Sequence, residues 1–291
     1  MRYRSTAGKI ADAINAFVLL LIALSMLFPF VYIFAVSFSS LEEVLQNELL
    51  LWPKEWVTDA YRYILSSEQF IRSFFVTVFV TVVGTFVNMA FTTTMAYGLS
   101  RPVPGQKQLL FMVGFTLLVG AGMIPTYMVV RATGLIDSLW ALILPAAINP
   151  FNLIVMRQFF LNIPEELHEA AIIDGANHLQ IFWRIILPLS KPALAAISLF
   201  YAVVHWNNYF AAILYINDPA KWPLQVVLRQ IVIVNEPNAA LRGGQQMIEN
   251  PPPPETVQMA AILLATLPIL FVYPFLQRYF VKGVMLGSVK E

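Results

Sequence analysis

The sequence is poor in charge and has no cysteine. Of its 291 residues, 12% are charged and 58% are hydrophobic, whereas an ordinary soluble domain carries about 25% charged residues. So few polar groups do not cover a water-soluble globule of this size, which excludes a soluble enzyme and a disordered regulator. The net charge of +1 creates no field that would attract nucleic acid. The absence of cysteine excludes disulfides, thiolate metal sites and a cysteine nucleophile.

The sequence also lacks the motifs of common catalytic sites. It has no Gly-x4-Gly-Lys-Ser/Thr phosphate loop, no His-Glu-x-x-His pair and no Gly-x-Ser-x-Gly elbow. Its three histidines, His168, His178 and His205, are scattered. The chain therefore has no residues with which to hydrolyse ATP or to act as an intramembrane hydrolase, and we expect it to carry no cofactor and no metal of its own.

Hydrophobic runs long enough to cross a membrane recur along the whole chain. A lipid-spanning helix needs about 20 mostly apolar residues. Six candidate spans meet this requirement: 14–38, 72–99, 109–130, 139–161, 190–214 and 256–280. The sequence therefore predicts an all-α integral membrane protein in which residues 1–291 form a single transmembrane domain. No internal repeat is visible, so the inverted-repeat architecture of many secondary transporters finds no support.

The distribution of positive charge predicts the orientation of these spans. If the N-terminus is inside, the inner segments hold 11 of the 18 Lys and Arg residues and the outer segments hold seven. Because an excess of Lys and Arg marks the cytoplasmic side, we expect both termini in the cytoplasm. The first apolar run is longer than the h-region of a cleavable signal peptide, about 7–15 residues, and we expect it to be retained as an anchor.

Two of the predicted outer loops are long. Residues 39–71 contain Trp52 and Trp56, which favour a helix at the membrane interface with aromatic anchors. Residues 215–255 contain the run Pro251–Pro254. This run cannot form a helix interior and predicts a stiff, extended stretch before the sixth span.

The most informative segment is the predicted inner loop between spans 4 and 5, residues 162–189. Pro164 suits the first position of a helix, and two glutamates follow in the first turn, where the helix dipole favours negative charge. Gly175 predicts a left-handed stop, and a second short helix should then end at Pro188. The pattern predicts a helix–turn–helix on the inner face. An amphipathic segment lying on the lipid headgroups is the alternative that helical pattern alone leaves open.

The spacing within this loop resembles the EAA loop of binding-protein-dependent ABC importer permeases. Glu169-Ala170-Ala171 is followed after three residues by Gly175 and after nine more by Ile185-x-Leu187-Pro188. Three further segments resemble the carbohydrate branch of that superfamily, and most of all its permeases for complex oligosaccharides: Gly122–Tyr127, Leu135–Trp140 and His205–Asn208. The C-terminal stretch from Lys282 to Lys290 is similar to the short inner tail of sugar permeases.

The resemblance implies the fold of a type I ABC importer transmembrane domain, with six transmembrane helices and a cytoplasmic coupling helix between spans 4 and 5. It implies that Glu169 makes a charged contact with a cytoplasmic ATPase subunit, that Ala170 and Ala171 allow a tight fit, and that Gly175 provides the bend. The coupling residues implied in this way are Glu169, Ala170, Ala171, Asp174, Gly175, Ile185, Leu187 and Pro188.

The resemblance also implies an assembly and a function. Two ABC ATPase subunits would bind ATP and magnesium, and a solute-binding protein would dock on the outer loops. Because six spans enclose too little room for a sugar, we expect a second, non-identical permease subunit. The whole would lie in the bacterial cytoplasmic (inner) membrane, with no nucleic acid. It would import a sugar or oligosaccharide by alternating access.

Polar stripes on the spans are candidates for the solute pathway. At 100° per residue, the stripe from Thr77 to Thr92 on span 2 fits an arc of about 80°, and so does the stripe from Ser198 to Asn208 on span 5. The candidate pathway residues are Asn88, Thr92, Asn149, Asn152, Tyr201, His205 and Asn208.

Each stripe has a simpler interpretation as polar contacts between helices, worth about 0.6 kcal/mol each. On span 2, Gly84 lies within the stripe and favours close packing. The two span-4 asparagines are equally suited to satisfying backbone groups freed by Pro145 and Pro150. For span 5 we favour the pathway, because an Asn pair beside His and Trp is too polar for a surface that faces lipid.

Other functions stay open at this point. An ion-coupled carrier would need an acidic residue within the membrane, but the predicted spans have no Asp or Glu in their central portions. An ABC importer permease for a solute other than a sugar is a second alternative. A membrane scaffold or enzyme is a third, and it would show no solute flux.

Overall fold

The computed structural model describes residues 6–46, 49–234 and 252–288. Throughout these ranges the regular elements are helices, which agrees with the predicted all-α class. The α-helices are α1 Thr6–Ser37, α2 Leu41–Gln46, α3 Asp59–Leu65, α4 Glu68–Leu99, α5 Gln106–Leu118, α6 Met123–Ala132, α7 Pro150–Leu161, α8 Glu165–Ile173, α9 His178–Ile181, α10 Leu187–Leu189, α11 Lys191–Trp206, α12 Phe210–Tyr215, α13 Leu224–Val232 and α14 Pro254–Ser288.

Among the described residues, three helices are long and apolar enough to cross a membrane alone: Gly8–Ser37, Glu68–Leu99 and Pro254–Val272. Two bent pairs meet the same test when each is taken as one span. In the first pair, Leu139–Ala146 meets Pro150–Leu161 at 53°, and in the second, His178–Leu189 meets Lys191–Trp206 at 83°. These five segments overlap five of the six predicted spans. The second bent pair begins within the predicted 162–189 loop and ends at Trp206, short of the predicted end of span 5 at residue 214.

The third predicted span, 109–130, is two helices rather than one. Helix α5 ends at Leu118 and α6 begins at Met123. The break contains Gly120 and Gly122, and Gly122 has a φ of +83°. Glycine lowers helix stability and permits this left-handed backbone, which explains why the apolar run is interrupted here.

The described parts of the chain form two compact units. The first comprises Met1–Phe70 with Leu228–Leu267, and the second comprises Ile71–Val227 with Pro268–Glu291. The prediction of a single transmembrane domain stays a prediction.

In the first unit, the end of α1 carries a cluster of aromatic rings. Phe38 stacks on Tyr61 at 4.7 Å, and Trp52 meets Trp56 edge to face at 5.6 Å. The loop folds back through a hydrogen bond from Val57 N to the Phe38 carbonyl at 2.8 Å. The predicted interfacial helix is here two short helices, α2 and α3. Exposed tryptophans beside an apolar span suit interfacial anchors, a role that stays a prediction.

The second unit has an apolar core at each end of α4. Near the α4 C-terminus, the core contains Leu99, Met156, Phe160, Ile181 and Ile197. Near its N-terminus, the core includes buried residues from four other elements: Val130, Leu142, Ala212, Tyr215 and Val226. Helix α4 therefore contributes to both cores. Helix α13 lies within the predicted outer loop 215–255 and was not predicted from the sequence.

Part of the 215–255 prediction lies outside the described residues. The chain is described to residue 234 and again from residue 252, so Pro251 is outside. Helix α14 begins at Pro254, and the residues just before it are non-helical, as expected for the proline run. In the C-terminal tail the backbone is helical as far as Ser288, and Val289–Glu291 lie outside the described residues.

Candidate functional site

The first arm of the 162–189 loop is α8, which begins one residue later than predicted. Pro164 has a ψ of 131° and therefore lies just before the helix, at a position where its missing N–H costs nothing. The helix ends at Ile173, and Gly175 follows two residues later with a φ of +82°. Gly175 N bonds to the Ile172 carbonyl and Ala176 N to the Ala171 carbonyl, both at 2.9 Å. This is a Schellman motif, and the left-handed glycine that the sequence predicts is present.

The second arm starts with a capping box. Asn177 Oδ1 accepts from Gln180 N at 2.9 Å, and Gln180 Oε1 accepts from Asn177 N at 2.9 Å. The arm does not end at Pro188 as predicted, because its helical backbone runs on through Leu189 and bends by 83° before α11. The backbone widens to a π-helix over Phe182–Ile186, directly before the helical turn that contains Pro188. A π-turn next to a proline changes the hydrogen-bond pattern without ending the helix.

The implied coupling residues fall into two groups by exposure. Glu169, Ala170, Asp174, Gly175 and Pro188 are exposed, whereas Ala171 is buried and Ile185 and Leu187 are half-buried. The last three pack on the apolar core at the C-terminal end of α4. The structure therefore places the first group on the surface and the second against the body of the same chain.

The surface of this loop is apolar as well as acidic. Ile173 is 85% exposed, Leu179 is 65% exposed and Trp183 is 62% exposed. Glu169 and Asp174 are exposed on the same short segment. Large exposed apolar side chains with charged neighbours favour contact with another molecule, either lipid or protein.

His168 lies on the buried side of α8. It is 6% exposed, and its ring packs on that of His178 with the centroids 5.7 Å apart. Burial lowers the pKa of His168, and the nearby positive charge of Arg101 lowers it further. His168 is therefore neutral near pH 7 and serves as a packing group between the two arms.

A second cluster of predicted site residues lies where α4 meets α11, and we call it the polar joint: Gly84, Asn88, Thr92, Tyr201 and His205. Asn88 Nδ2 donates to His205 Nε2 at 3.1 Å and to the Ala146 carbonyl at 3.2 Å. Because the amide nitrogen is a donor, this bond requires His205 Nε2 to be unprotonated. Gly84 faces the same ring, and a Cβ there would lie 2.6 Å from His205 Nε2. The close packing predicted from Gly84 is confirmed.

The other half of the polar joint is centred on the Tyr201 hydroxyl. It lies 2.7 Å from Thr92 Oγ1 and accepts from Asn149 N at 3.0 Å. Asn149 Oδ1 in turn caps α7 by accepting from Asn152 N at 3.1 Å. These bonds connect spans 2, 4 and 5, and they satisfy backbone groups next to Pro145 and Pro150, as the simpler interpretation expects.

The candidate pathway residues therefore have different surroundings. Asn88, Thr92, Tyr201 and His205 are each at most 3% exposed, and Asn152 is 6% exposed. Asn149 is exposed and Asn208 is half-buried. Of the candidate pathway residues, only Asn149 and Asn208 are accessible at the surface of this chain.

Sequence reasoning missed Asp137, which connects two loops at the end of span 4 opposite the 162–189 loop. Its Oδ1 accepts from Asn217 N and Asp218 N at 3.1 and 3.0 Å, and its Oδ2 lies 3.2 Å from Lys221 Nζ. These hydrogen bonds, with the Asp218 N–H as the strongest cause, lower the pKa of Asp137. Asp137 also has a φ of +61°, which is uncommon for a residue other than glycine. Its partners lie about 80 residues away, and no local pattern indicates such a contact.

Comparison with known proteins shows to which family the chain belongs. Residues 5–286 match the family described as "Binding-protein-dependent transport system inner membrane component". The chain is 54% identical over 275 residues to the polygalacturonan/rhamnogalacturonan transport system permease protein YtcP of Bacillus subtilis, covering 94% of this chain and 95% of YtcP. It is 50% identical over 289 residues to protein LplC of the same organism, covering 99% and 97%.

Among solved structures, it resembles a chain in the crystal structure of a bacterial ABC transporter involved in the import of the acidic polysaccharide alginate. The TM-score is 0.89 at 36% identity, and the match covers 96% of this chain and 100% of that chain. The predicted type I importer fold and the predicted ABC permease are therefore confirmed. The chain belongs to the family of binding-protein-dependent transport system inner membrane components.

Proposed function

We propose that this chain is a permease subunit that carries carboxylate-bearing oligosaccharides, such as fragments of uronate polysaccharides, through the membrane in an ATP-driven importer. The observation that carries this proposal is near full-length similarity to two proteins. One is a polygalacturonan/rhamnogalacturonan transport system permease, and the other is a chain of a transporter involved in the import of the acidic polysaccharide alginate. Local chemistry is compatible with a glycan. Asn149 and Asn208 offer accessible amides, which exchange hydrogen bonds with hydroxyl groups as water does.

The energy for transport would come from two ATPase subunits on the cytoplasmic face. The chain has no phosphate loop, so ATP and magnesium belong to those partners. The exposed surface of the 162–189 loop supports this docking site. It offers carboxylates at Glu169 and Asp174 and an apolar centre at Ile173, a composition that suits a protein groove with basic residues at its rim.

The remaining partners would complete the pathway. A solute-binding protein would dock on the outer loops 39–71 and 215–255. A second, non-identical permease subunit would close the other half of the path. Both termini would lie in the cytoplasm, in keeping with the charge distribution.

Within this chain, we assign Asn149 and Asn208 to the solute path and the polar joint to its support. Asn88, Thr92, Tyr201 and His205 make their hydrogen bonds to each other and to the backbone of span 4. A buried polar network of this kind fixes the relative positions of helices. Because Asn149 Oδ1 caps α7, the groups that can bind the solute while the network holds are the Asn208 amide and Asn149 Nδ2.

The test is reconstitution of the complete transporter in proteoliposomes with its solute-binding protein. We expect uptake of galacturonate oligosaccharides that requires ATP inside the vesicles, together with stimulated ATP hydrolysis, and no uptake of neutral glucan oligosaccharides of the same length. Uptake of the neutral glycan alone would contradict the substrate assignment. Uptake driven by an ion gradient without ATP would contradict the importer mechanism and favour the ion-coupled carrier.

A further inference from the structure

Helix α4 ends beside the start of α8. It is a continuous helix of 32 residues, Glu68–Leu99, and Arg101 lies two residues after its end. At 1.5 Å per residue, a helix of this length spans about 48 Å. A rigid element of that size transmits movement at one end to contacts at the other.

An ion pair connects the two elements. Arg101 Nη1 lies 2.7 Å from both carboxylate oxygens of Glu165, the first residue of α8. The Arg101 side chain is 14% exposed, whereas that of Glu165 is 62% exposed. The Arg101 side chain is therefore packed against neighbouring residues, whereas the Glu165 carboxylate is largely in contact with solvent. Charge-assisted bonds of this length are strong and directional.

Neighbouring contacts fix the position of Arg101. Its guanidinium carbon lies 5.5 Å from the centroid of the Tyr97 ring, a cation–π geometry. The Tyr97 ring packs against Phe182 in the second arm of the loop, with centroids 5.1 Å apart. The last carbonyl of α4, on Leu99, accepts from Arg157 Nε at 2.8 Å. The C-terminal end of α4 therefore contacts α7, α8 and the π-helix.

The middle and the N-terminal half of α4 contact two further helices, α11 and α13. Asn88 bonds to His205 of α11, and Thr77 Oγ1 accepts from Leu224 N of α13 at 2.7 Å. A displacement of α4 along its axis would therefore reach the polar joint and the far end of the unit. The 162–189 loop is also continuous with span 5, so α4 would be a second route.

We propose that Arg101 is a positioning residue that couples α8 to α4, so that movement of α8 by the ATPase subunit displaces span 2 as well as span 5. This inference rests on the proposed function. The Glu165 carboxylate is 62% exposed, so water solvates it when the pair is broken, and the pair itself contributes little to stability. Loss of the Arg101–Glu165 pair should therefore leave folding and docking intact and reduce the yield of transport per ATP.

The experiment is a double-mutant cycle in the reconstituted transporter with Arg101→Gln, Glu165→Gln and the double variant. Import per ATP hydrolysed should fall about fivefold or more in each single variant, a typical coupling effect. The double variant should be no worse than either single variant, because the residues act as one unit. Basal ATP hydrolysis and copurification of the ATPase subunits should match the parent. Glu166→Gln, an exposed carboxylate in the same turn, is the matched control and should behave as the parent.

Four results would overturn the inference while leaving the proposed function in place. These are unchanged import per ATP in both single variants, multiplied defects in the double variant, an equal defect in Glu166→Gln, or loss of the ATPase subunits from Glu165→Gln complexes. The last would make Glu165 a docking residue. If the parent transporter itself shows no ATP-dependent import, the proposed function fails, and the inference fails with it.

Discussion

The 162–189 loop and the polar joint both contain functional residues predicted from the sequence, but they use their polar groups differently. In the polar joint, Thr92 and Tyr201 are buried and lie 2.7 Å from each other. In the loop, Glu169 and Asp174 are exposed, beside an Ile173 side chain that is 85% exposed. Buried polar groups that hydrogen-bond to one another stabilise the chain. Exposed carboxylates and apolar side chains are available to bind a partner. The difference separates residues that maintain the structure from residues that are available to a partner.

A substitution that disrupts the polar joint should cause the greatest loss of stability. Gly84→Ala adds a Cβ that would lie 2.6–2.9 Å from three atoms of the His205 ring. Overpacking a tight contact costs about 1–3 kcal/mol. We expect a lower melting temperature of the purified complex in detergent, measured by thermal unfolding.

Gly98→Ala is the matched control for this substitution. Gly98 is in the same helix, and a Cβ there meets no atom within 4 Å. Its melting temperature should equal that of the parent or rise slightly, since alanine favours helix. Equal losses in the two variants would show that the contact with His205 does not matter.

A smaller effect distinguishes support from solute contact. Tyr201→Phe removes the hydroxyl that bonds to Thr92 Oγ1 and Asn149 N, which should cost about 1 kcal/mol of stability. We expect the apparent KM for the oligosaccharide to stay unchanged. Asn208→Ala should raise the KM and leave stability unaltered, because Asn208 is half-buried and accessible. A raised KM in Tyr201→Phe at parental stability would move the solute path into the polar joint.

The smallest change in stability is expected at Asp137. This residue is half-buried, and, like the polar joint, it forms hydrogen bonds to other residues of the same chain. Because its pKa is lower in the folded state, its stabilising contribution is present at neutral pH and is lost as the pH falls through that lowered pKa. The parent should therefore lose thermal stability below about pH 4, the ordinary range for aspartate. Asp137→Asn should be less stable than the parent at pH 7 and should show a smaller change on acidification. Parallel pH profiles for the two proteins would contradict the assigned role of Asp137.

Local patterns predicted the parts of the fold whose causes are local. The position of α8 and the left-handed Gly175 follow from neighbouring residues, since capping and backbone conformation depend on a few positions. The period of α4 correctly placed Asn88 and Thr92 on one face. It could not show what covers that face, because His205 and Tyr201 lie more than 100 residues away.

Contacts between distant segments account for what the sequence did not predict. Arg101 and Glu165 are 64 positions apart, and Asp137 and Lys221 are 84 apart. The break in the third span was visible as two glycines, but apolar length outweighed them in the span prediction.

The most direct test of the central claim, that the 162–189 loop is the contact for a cytoplasmic ATPase, uses the absence of cysteine from the chain. A single Ile173→Cys residue would carry a photoreactive maleimide, and Leu45→Cys, which replaces an exposed residue of the predicted outer loop, is the control. We expect Ile173→Cys to form an adduct with the ATPase subunit and to stay unlabelled when an impermeant maleimide is added to intact spheroplasts, whereas Leu45→Cys should be labelled. Labelling of Ile173→Cys from outside, or no ATPase adduct in the intact assembly, would contradict it.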